Sequence, residues 1–268
     1  MIFYSRKIAI VTTVNNKLLY NITIQTFPQN IELIAIDGSK GLFGLNSIKF
    51  IFKKLSSKRY SWIIMVDEDV LFVNPESVIK IIDEMIKNDI DVCGIRDGGV
   101  LSWRDKNPYL PNPFFCILNF EKIKSLYSEK EIDGNQFLLV NEFDDDVSSL
   151  KFKYDADSIF EEYYCFFLWL RRKKFRFDFL HAVSDTFEND LETTTVFDFN
   201  GEILLYHTWY ARTYGLSEFH TKRIDRIINE CLPQITQHTI RAIWLKDYAF
   251  HCRRYFRKIK NKVLNKFK

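Results

Sequence analysis

The chain contains the stretch Trp62-Ile63-Ile64-Met65-Val66-Asp67-Glu68-Asp69-Val70-Leu71-Phe72, in which an apolar run ends in three acids and then turns apolar again. The first five residues have the length and composition of a buried strand, so the acids that follow should lie at a sheet edge. Ligands of open α/β sheets bind at the carboxyl ends of strands. An Asp-x-Asp triplet arises easily by chance, but this placement makes Asp67 and Asp69 candidate ligands of a hard divalent cation.

The first hundred residues alternate strand-like and helix-like segments, which predicts parallel βαβ units. The second half is less regular: a short strand pattern and a Pro-rich loop precede a further strand, and an aromatic helix follows later. Predicted strands are Ile8 to Val14, Ile31 to Ile36, Trp62 to Val66, Val92 to Ile95, Phe175 to Phe179 and Ile203 to Tyr206, and predicted helices are Lys17 to Thr26, Ser47 to Leu55, Pro75 to Asn88 and Ser158 to Lys174.

Composition is that of an ordinary globular protein, with 268 residues, 47% apolar and 27% charged. This length fits one large domain or one domain with an appendage. The five cysteines include no C-x-x-C pair, which disfavours zinc and disulfide frameworks. No nucleic-acid-binding module is visible in the body of the chain, so we expect no nucleic-acid partner.

The two ends of the chain bear on location. Residues Met1 to Lys7 run directly into a strand pattern and lack the features of a signal peptide, and no segment reaches membrane-spanning length, so we expect a cytoplasmic protein. From His251 to Lys268 there are eight Lys or Arg and no acid, which leaves about −5 for the rest of the chain.

Apolar residues recur at helical spacing within this basic segment, with Trp244 and Tyr248 extending the stripe upstream. The pattern predicts a basic amphipathic helix that lies on an anionic membrane surface, and therefore a peripheral location on the inner membrane. A solvated helix packed on the domain by its apolar stripe is the alternative. The apolar residues of the stripe are Cys252, Phe256, Ile259, Val263 and Phe267.

The order of these motifs resembles that of a GT-A glycosyltransferase, especially the family 2 type of bacterial polysaccharide and lipopolysaccharide enzymes, across roughly Lys7 to Tyr210. The opening strand with Thr12 and Asn15 is similar to the family's first nucleotide-binding loop. Leu33 to Ser39 is similar to its second strand and Asp-Gly-Ser turn, which includes Asp37. Asp67-Glu68-Asp69 occupies the place of the family's DxD metal motif.

The likeness continues in the second half, although with departures. Asn112 to Asn119 resembles the strand that lines the acceptor cleft, and Glu161-Glu162 resembles the family's acidic pair before an arginine-rich helix. The usual Glu-Asp is Glu-Glu here, and the usual glycine near the helix end is Lys174, which leaves open which Glu faces the site. Glu162 is the candidate catalytic base, because a carboxylate must remove the proton of a sugar hydroxyl. Alternatively, both acids simply favour the helix dipole.

The resemblance implies a Rossmann-like, mostly parallel sheet flanked by helices, with a glycosyltransferase domain at 1–232 and a helical basic tail at 233–268. Residues 1–100 would form the nucleotide-binding half and 101–232 the acceptor half. Asp67, Asp69 and His207 would bind Mn²⁺ or Mg²⁺, although a lone His is also a common structural residue. Thr12, Asn15, Asp37, Asp67 and Glu68 would bind the nucleotide.

The implied activity is metal-dependent transfer of a sugar, a hexosyltransferase-type reaction, from a nucleotide-diphosphate sugar to a hydroxyl of a glycan or lipid-linked acceptor. The expected donor is a UDP-sugar, and a base at Glu162 would invert the anomeric carbon. One alternative is a haloacid-dehalogenase-like phosphotransferase, in which the first Asp of the motif forms a phospho-enzyme. The other is a non-catalytic, membrane-associated sugar-binding protein, since a fold does not establish turnover.

Overall fold

The structure is a computed structural model that describes residues 7–231 and 240–256. These residues form two β-sheets with helices packed around them. The strands are β1 (Ile8–Val14), β2 (Glu32–Asp37), β3 (Trp62–Val66), β4 (Val70–Phe72), β5 (Val92–Arg96), β6 (Pro111–Asn119), β7 (Phe177–Phe179), β8 (Ala182–Val183), β9 (Thr194–Phe197), β10 (Ile203–His207) and β11 (Ile243–Leu245). The α-helices are α1 (Lys17–Thr23), α2 (Leu45–Leu55), α3 (Ser77–Lys87), α4 (Phe120–Leu126), α5 (Glu129–Asp133), α6 (Tyr164–Arg172) and α7 (Glu218–Cys231), and short 3₁₀ turns cover Ile24–Thr26 and Ala211–Thr213.

The main sheet has seven strands in the order β11-β2-β1-β3-β6-β5-β7. Six of them run the same way, and β6 alone is antiparallel to its neighbours β3 and β5. The expected α/β architecture with a mostly parallel central sheet flanked by helices is therefore confirmed. The carboxyl ends of β1, β2, β3 and β5 meet at one edge, which is where such folds place their ligands.

Apolar cores cover both faces of this sheet, because alternate residues of a strand point to opposite sides. In β3, Ile63 and Met65 belong to one core, whereas Trp62, Ile64 and Val66 belong to the other. Helices α2 and α6 pack on the first face, and α1 and α3 pack on the second. The unbroken apolar run of β3 is thus explained by burial on both sides.

A smaller antiparallel sheet, in the order β4-β10-β9-β8, begins directly after the three acids. Strand β4 pairs with β10, and a third apolar cluster joins this region to α7. The chain therefore leaves the main sheet at Val66 and enters the second sheet at Val70, which places the acids at the junction of the two sheets.

Three sequence predictions are wrong in detail. Trp244 does not belong to a helix, because it lies in β11, which pairs in parallel with β2 at the sheet edge. The sequence pattern predicts one face of this helix from Ile79, Ile82 and Ile86, but the buried face of α3 is formed by Val78, Ile81, Ile82 and Met85, and Ile79 and Ile86 are exposed. Helix α6 also begins at Tyr164, six residues later than expected.

The basic C-terminal segment is described only in part. Tyr248 lies in a turn, and residues 250–256 are helical. The apolar positions Ile259, Val263 and Phe267 lie outside the described residues, so the predicted membrane-binding stripe stays a prediction. Within residues 7–231 and 240–256, no helix is both long and apolar enough to cross a membrane.

Candidate active site

The three acids lie at the carboxyl edge of the main sheet. Strand β3 is held between β1 and β6, and the backbone N–H of Asp67 donates to the carbonyl of Phe114 at 2.9 Å, so the turn after β3 is fixed by β6. Glu68 and Asp69 are buried, whereas Asp67 is half-buried and lines an open cleft.

Strand β10 brings His207 to these acids. His207 pairs with Val70 across the antiparallel ladder, and its Nε2 lies 3.2 Å from Oδ1 of Asp69. The backbone N–H of Thr208 donates to the carbonyl of Asp69 at 3.1 Å, which fixes the register next to the imidazole. Potential ligand atoms of Asp67, Asp69 and His207 all lie within 4.8 Å of one another.

These three side chains fit a divalent cation. Two ligands that lie ~2.1 Å from an ion at a right angle are roughly 3 Å apart, close to the separation of His207 and Asp69. Two carboxylates and one imidazole are a donor set for a borderline divalent metal such as Mn²⁺. The imidazole is held by stacking on Phe114, with ring centroids 4.0 Å apart, and its Nδ1 has no hydrogen-bond partner in the described part of the chain.

The acids are electrostatically unfavourable to one another without a cation. Burial, together with the nearby Asp69 charge, raises the pKa of Asp67 to about 6. Burial also raises the pKa of Glu68 to about 8. Desolvated carboxylates placed this close together favour a bound positive charge.

Glu68 has a different partner from the other two acids. Its Oε2 accepts the backbone N–H groups of Asn15 and Asn16, the latter at 2.8 Å. Asn16 in turn caps α1 through the N–H of Leu19 at 3.1 Å. Glu68 therefore ties the acidic turn to the loop after β1, and its predicted contact with a nucleotide stays a prediction.

Only some of the remaining nucleotide-binding candidates line the cleft. Asn15 lines the cleft, but Thr12 is fully buried in β1, and its neighbour Thr13 lines the cleft instead. Asp37 is half-buried at the end of β2 and accepts the hydroxyl of Ser39 at 2.6 Å. That hydrogen bond is the main cause of a lowered pKa of Asp37. Asp37 is not among the residues that line the cleft.

The cleft that contains the acids has a volume of 660 Å³ and also receives both members of the acidic pair. Glu161 and Glu162 lie in the turn before α6 and not in its first helical turn, which contains no acid. Oε1 of Glu161 lies 2.8 Å from Nη2 of Arg104. Glu162 is exposed, and its carboxylate has no ion-pair partner among the described residues.

Arg104 belongs to a buried network that the sequence did not predict. Its guanidinium binds both carboxylate oxygens of Asp97, at 2.6 and 3.1 Å. Asp97 also accepts hydrogen bonds from Asn112 and from the hydroxyls of Tyr163 and Tyr164. Asp97 directly follows β5, so its position at the sheet edge was the available signal. Its partners, however, are distant in sequence and leave no local pattern.

A second buried arginine, Arg223 of α7, holds the backbone that follows His207. Its guanidinium donates to the carbonyls of Thr208 and Trp209, and to Oγ1 of Thr193 at 2.8 Å. Trp209 and Tyr210 both adopt left-handed backbone conformations, with φ of 58° and 60°. Such consecutive strain persists only where surrounding contacts fix the chain. The turn carries Arg212 to the cleft, where it lies over the Phe43 ring at 4.3 Å.

Comparisons with known proteins give only distant likenesses. No protein-family model matches the chain, and no curated protein matches it by sequence. Among solved structures, it is similar to the mannosyltransferase PcManGT from Pyrobaculum calidifontis in complex with GDP-Man and Mn²⁺, with 6% identity and a TM-score of 0.31 over 58% of this chain. The matched region spans 56% of the mannosyltransferase chain. It is also similar to A197 from STIV, with 12% identity and a TM-score of 0.39 over 74% of this chain and 93% of that one.

Proposed function

We propose that this protein transfers a sugar from a nucleotide-diphosphate sugar to a hydroxyl of a glycan or lipid-linked acceptor, in a metal-dependent reaction. The observation that carries the proposal is the cluster of Asp67, Asp69 and His207 at the carboxyl edge of a mostly parallel sheet, inside an open cleft. A divalent cation held there would face the space in which ligands of such folds bind.

The donor's diphosphate is assigned to the part of the cleft between the acids and Arg212. Asp67 and Asp69 would supply carboxylate oxygens and His207 would supply a nitrogen, a set that suits Mn²⁺ better than Mg²⁺, which prefers oxygen ligands. Bound there, the cation would neutralise the diphosphate as it leaves. Arg212 adds a positive charge on the same cleft, and Asn15 and Thr13 offer polar groups near the expected nucleoside.

Glu162 is assigned as the general base. It is exposed in the cleft and unpaired, whereas Glu161 is bound to Arg104. In the proposed step, the acceptor hydroxyl gives its proton to the Glu162 carboxylate while its oxygen bonds to the anomeric carbon. The bond from that carbon to the diphosphate breaks at the same time, with the electron pair going to the diphosphate. Attack from the opposite side inverts the anomeric configuration.

The experiment that tests this proposal is a thermal-stability titration with UDP-, GDP- and dTDP-sugars, with and without Mn²⁺. Stabilisation by one nucleotide class that requires Mn²⁺ is expected, because a ligand that binds only the folded state raises its melting temperature. The shift should vanish in Asp69→Ala. It should persist in Glu121→Ala, a control at the start of α4, where β6 ends at the opposite edge of the sheet.

No stabilisation by any nucleotide would contradict the proposal and favour the phosphotransferase alternative. A stabilised complex that never releases nucleotide diphosphate in the presence of acceptor glycans would instead favour the non-catalytic sugar-binding protein. Peripheral attachment to the inner membrane, through the basic residues that follow 250, is part of the proposal and has its own test in the Discussion.

A further inference from the structure

A second cavity adjoins the cleft. It is not lined by the three acids Asp67, Glu68 and Asp69. It has a volume of 820 Å³ and lies between the loop before α2, the turn before α6 and the helical residues 250–256. Phe43, Glu161 and Glu162 line both cavities, so the two spaces meet at the acidic pair. We call this second cavity the outer chamber. A group bound in it would lie next to Glu162, in a space that none of the candidate metal ligands lines.

The C-terminal segment forms one wall of the outer chamber. Strand β11 fixes the segment to β2, and Phe250 then packs against the apolar core that includes α2 and α6. Arg253 and Arg254 follow on the helical residues and line the chamber. The guanidinium of Arg254 lies so close to Gly41 that a Cβ at that glycine would overlap it. Residues near 41 and near 254, which are distant in sequence, therefore meet in the wall of the chamber.

Most of the charged side chains that line the outer chamber have an ion-pair partner, either in its lining or just outside it. Lys49 is paired with Asp133, Arg253 is paired with Asp247, and Glu161 is paired with Arg104. Within the described residues, the two lining charges that have no ion-pair partner are Arg254 and Glu162. One unpaired cation and one unpaired acid therefore remain, carried by different walls of the same chamber.

The chamber is also lined by exposed apolar side chains. Ile159 and Phe160 precede the acidic pair and are 50% and 72% exposed, and both line the cavity. Exposed apolar side chains beside a polar cavity suit a ligand that has an apolar part next to a polar one.

We propose that the outer chamber binds an acceptor saccharide that carries a phosphate group. Arg254 binds the phosphate, and the saccharide extends toward Glu162, which takes the proton of its hydroxyl. A guanidinium forms paired, charge-assisted hydrogen bonds with phosphate oxygens, which gives both affinity and orientation. The acceptor role of this ligand depends on the proposed glycosyl transfer. Binding of an anion depends only on the charges of the chamber.

The test is to measure the binding of glucose 1-phosphate and of glucose by calorimetry or NMR. The solution contains EDTA and no nucleotide, and its ionic strength is fixed. Arg254→Gln should weaken binding of glucose 1-phosphate by about tenfold, since one charge-assisted interaction is lost. Arg241→Gln is the matched control, because Arg241 is exposed on the same segment but does not line the chamber. Binding of glucose should be the same in all three proteins.

Absence of glucose 1-phosphate binding in the wild type would overturn the proposal, as would equal binding by Arg254→Gln and the wild type. Because the assay contains no metal or nucleotide, this result is independent of the donor titration, and either proposal can fail alone. A second ligand, glucose 1-phosphate esterified with a decyl chain on its phosphate, distinguishes a lipid-linked from a soluble acceptor. Tighter binding of this ester that is lost in Phe160→Ser indicates a lipid-linked acceptor, and equal binding of both ligands indicates a soluble one.

Discussion

His207 and Asp69 face each other in the candidate metal site, with 3.2 Å between Nε2 and Oδ1. If both are ligands, His207→Ala should weaken Mn²⁺ binding by at least about tenfold, because a nitrogen that binds the metal directly is removed while the carboxylates remain. Calorimetric titration with Mn²⁺ alone measures this directly. The control is His181→Ala, whose ring is exposed and does not belong to the cluster. Unchanged Mn²⁺ affinity in His207→Ala would make His207 a structural residue.

Asp97 carries a second prediction because its carboxylate accepts five hydrogen bonds in the protein interior. Asp97→Asn keeps the size of the side chain but leaves Arg104 buried without its main counter-charge. Loss of one partner of a buried ion pair typically costs about 3–5 kcal/mol. Urea unfolding should therefore show a large decrease in the free energy of unfolding.

The matched change is Asp185→Asn, in which the lost ion pair with Lys151 is solvent-exposed. Its free energy of unfolding should stay close to that of the wild type. Similar unfolding curves for the two variants would mean that the Asp97 network does not stabilise the fold.

Helix α6 ends in a conformation that its sequence disfavours. The N–H of Phe175 donates to the carbonyl of Leu170 at 3.1 Å, and the N–H of Lys174 donates to Arg171 at 2.9 Å, a Schellman motif in which Lys174 has a φ of 64°. Lys174→Gly should therefore stabilise the protein by roughly 0.5–1 kcal/mol, since the steric cost of the left-handed residue exceeds the entropic cost of glycine.

Chemical unfolding of Lys174→Gly and Lys174→Ala provides the comparison. Alanine removes the same exposed side chain without relieving the backbone, so it should give no gain. A gain in Lys174→Ala equal to that in Lys174→Gly would assign the effect to the loss of a cation near Arg171 and Arg172 rather than to the backbone.

Strand β11 makes the C-terminal segment part of the main sheet, and two truncations separate its role from that of the residues beyond it. A chain that ends at residue 231 loses β11 and leaves β2 as an open edge, so it should melt at a lower temperature and aggregate. A chain that ends at residue 256 keeps the described structure and should retain its melting temperature. Thermal melts with light scattering test both, and equal melting temperatures would show that β11 contributes little.

The same truncation at residue 256 tests membrane attachment, since it removes six of the eight basic residues of the segment from 251 to 268. Each basic residue near an anionic surface contributes about 1 kcal/mol. The truncated chain should therefore no longer sediment with vesicles that contain phosphatidylserine, at a salt concentration where the full chain does. Vesicle binding that survives the truncation would refute the membrane role of the tail.

Local sequence patterns predicted the features of the fold that depend on residues close together in the sequence. Periodicity identified β1 and β3 to the residue, and the acids after β3 lie at the sheet edge as expected. Periodicity carries no information on strand direction, so the antiparallel β6 was not predicted. The contacts of Arg104 with Asp97 and Glu161, and of β11 with β2, join residues that are distant in sequence, and no local signal encodes them. The second half was therefore predicted less well than the first.

The pairing of β2 with β11 also has a consequence for biosynthesis. Pairing of Ile34, Ala35 and Ile36 with residues 243–245 requires about two hundred further residues to be translated, which takes roughly 10–40 s at ordinary elongation rates. During that interval the emerging chain presents β2 as an unpaired edge beside the growing sheet. Nascent chains that stall before residue 245 should therefore be chaperone clients, and closure of this edge should be among the last events of folding.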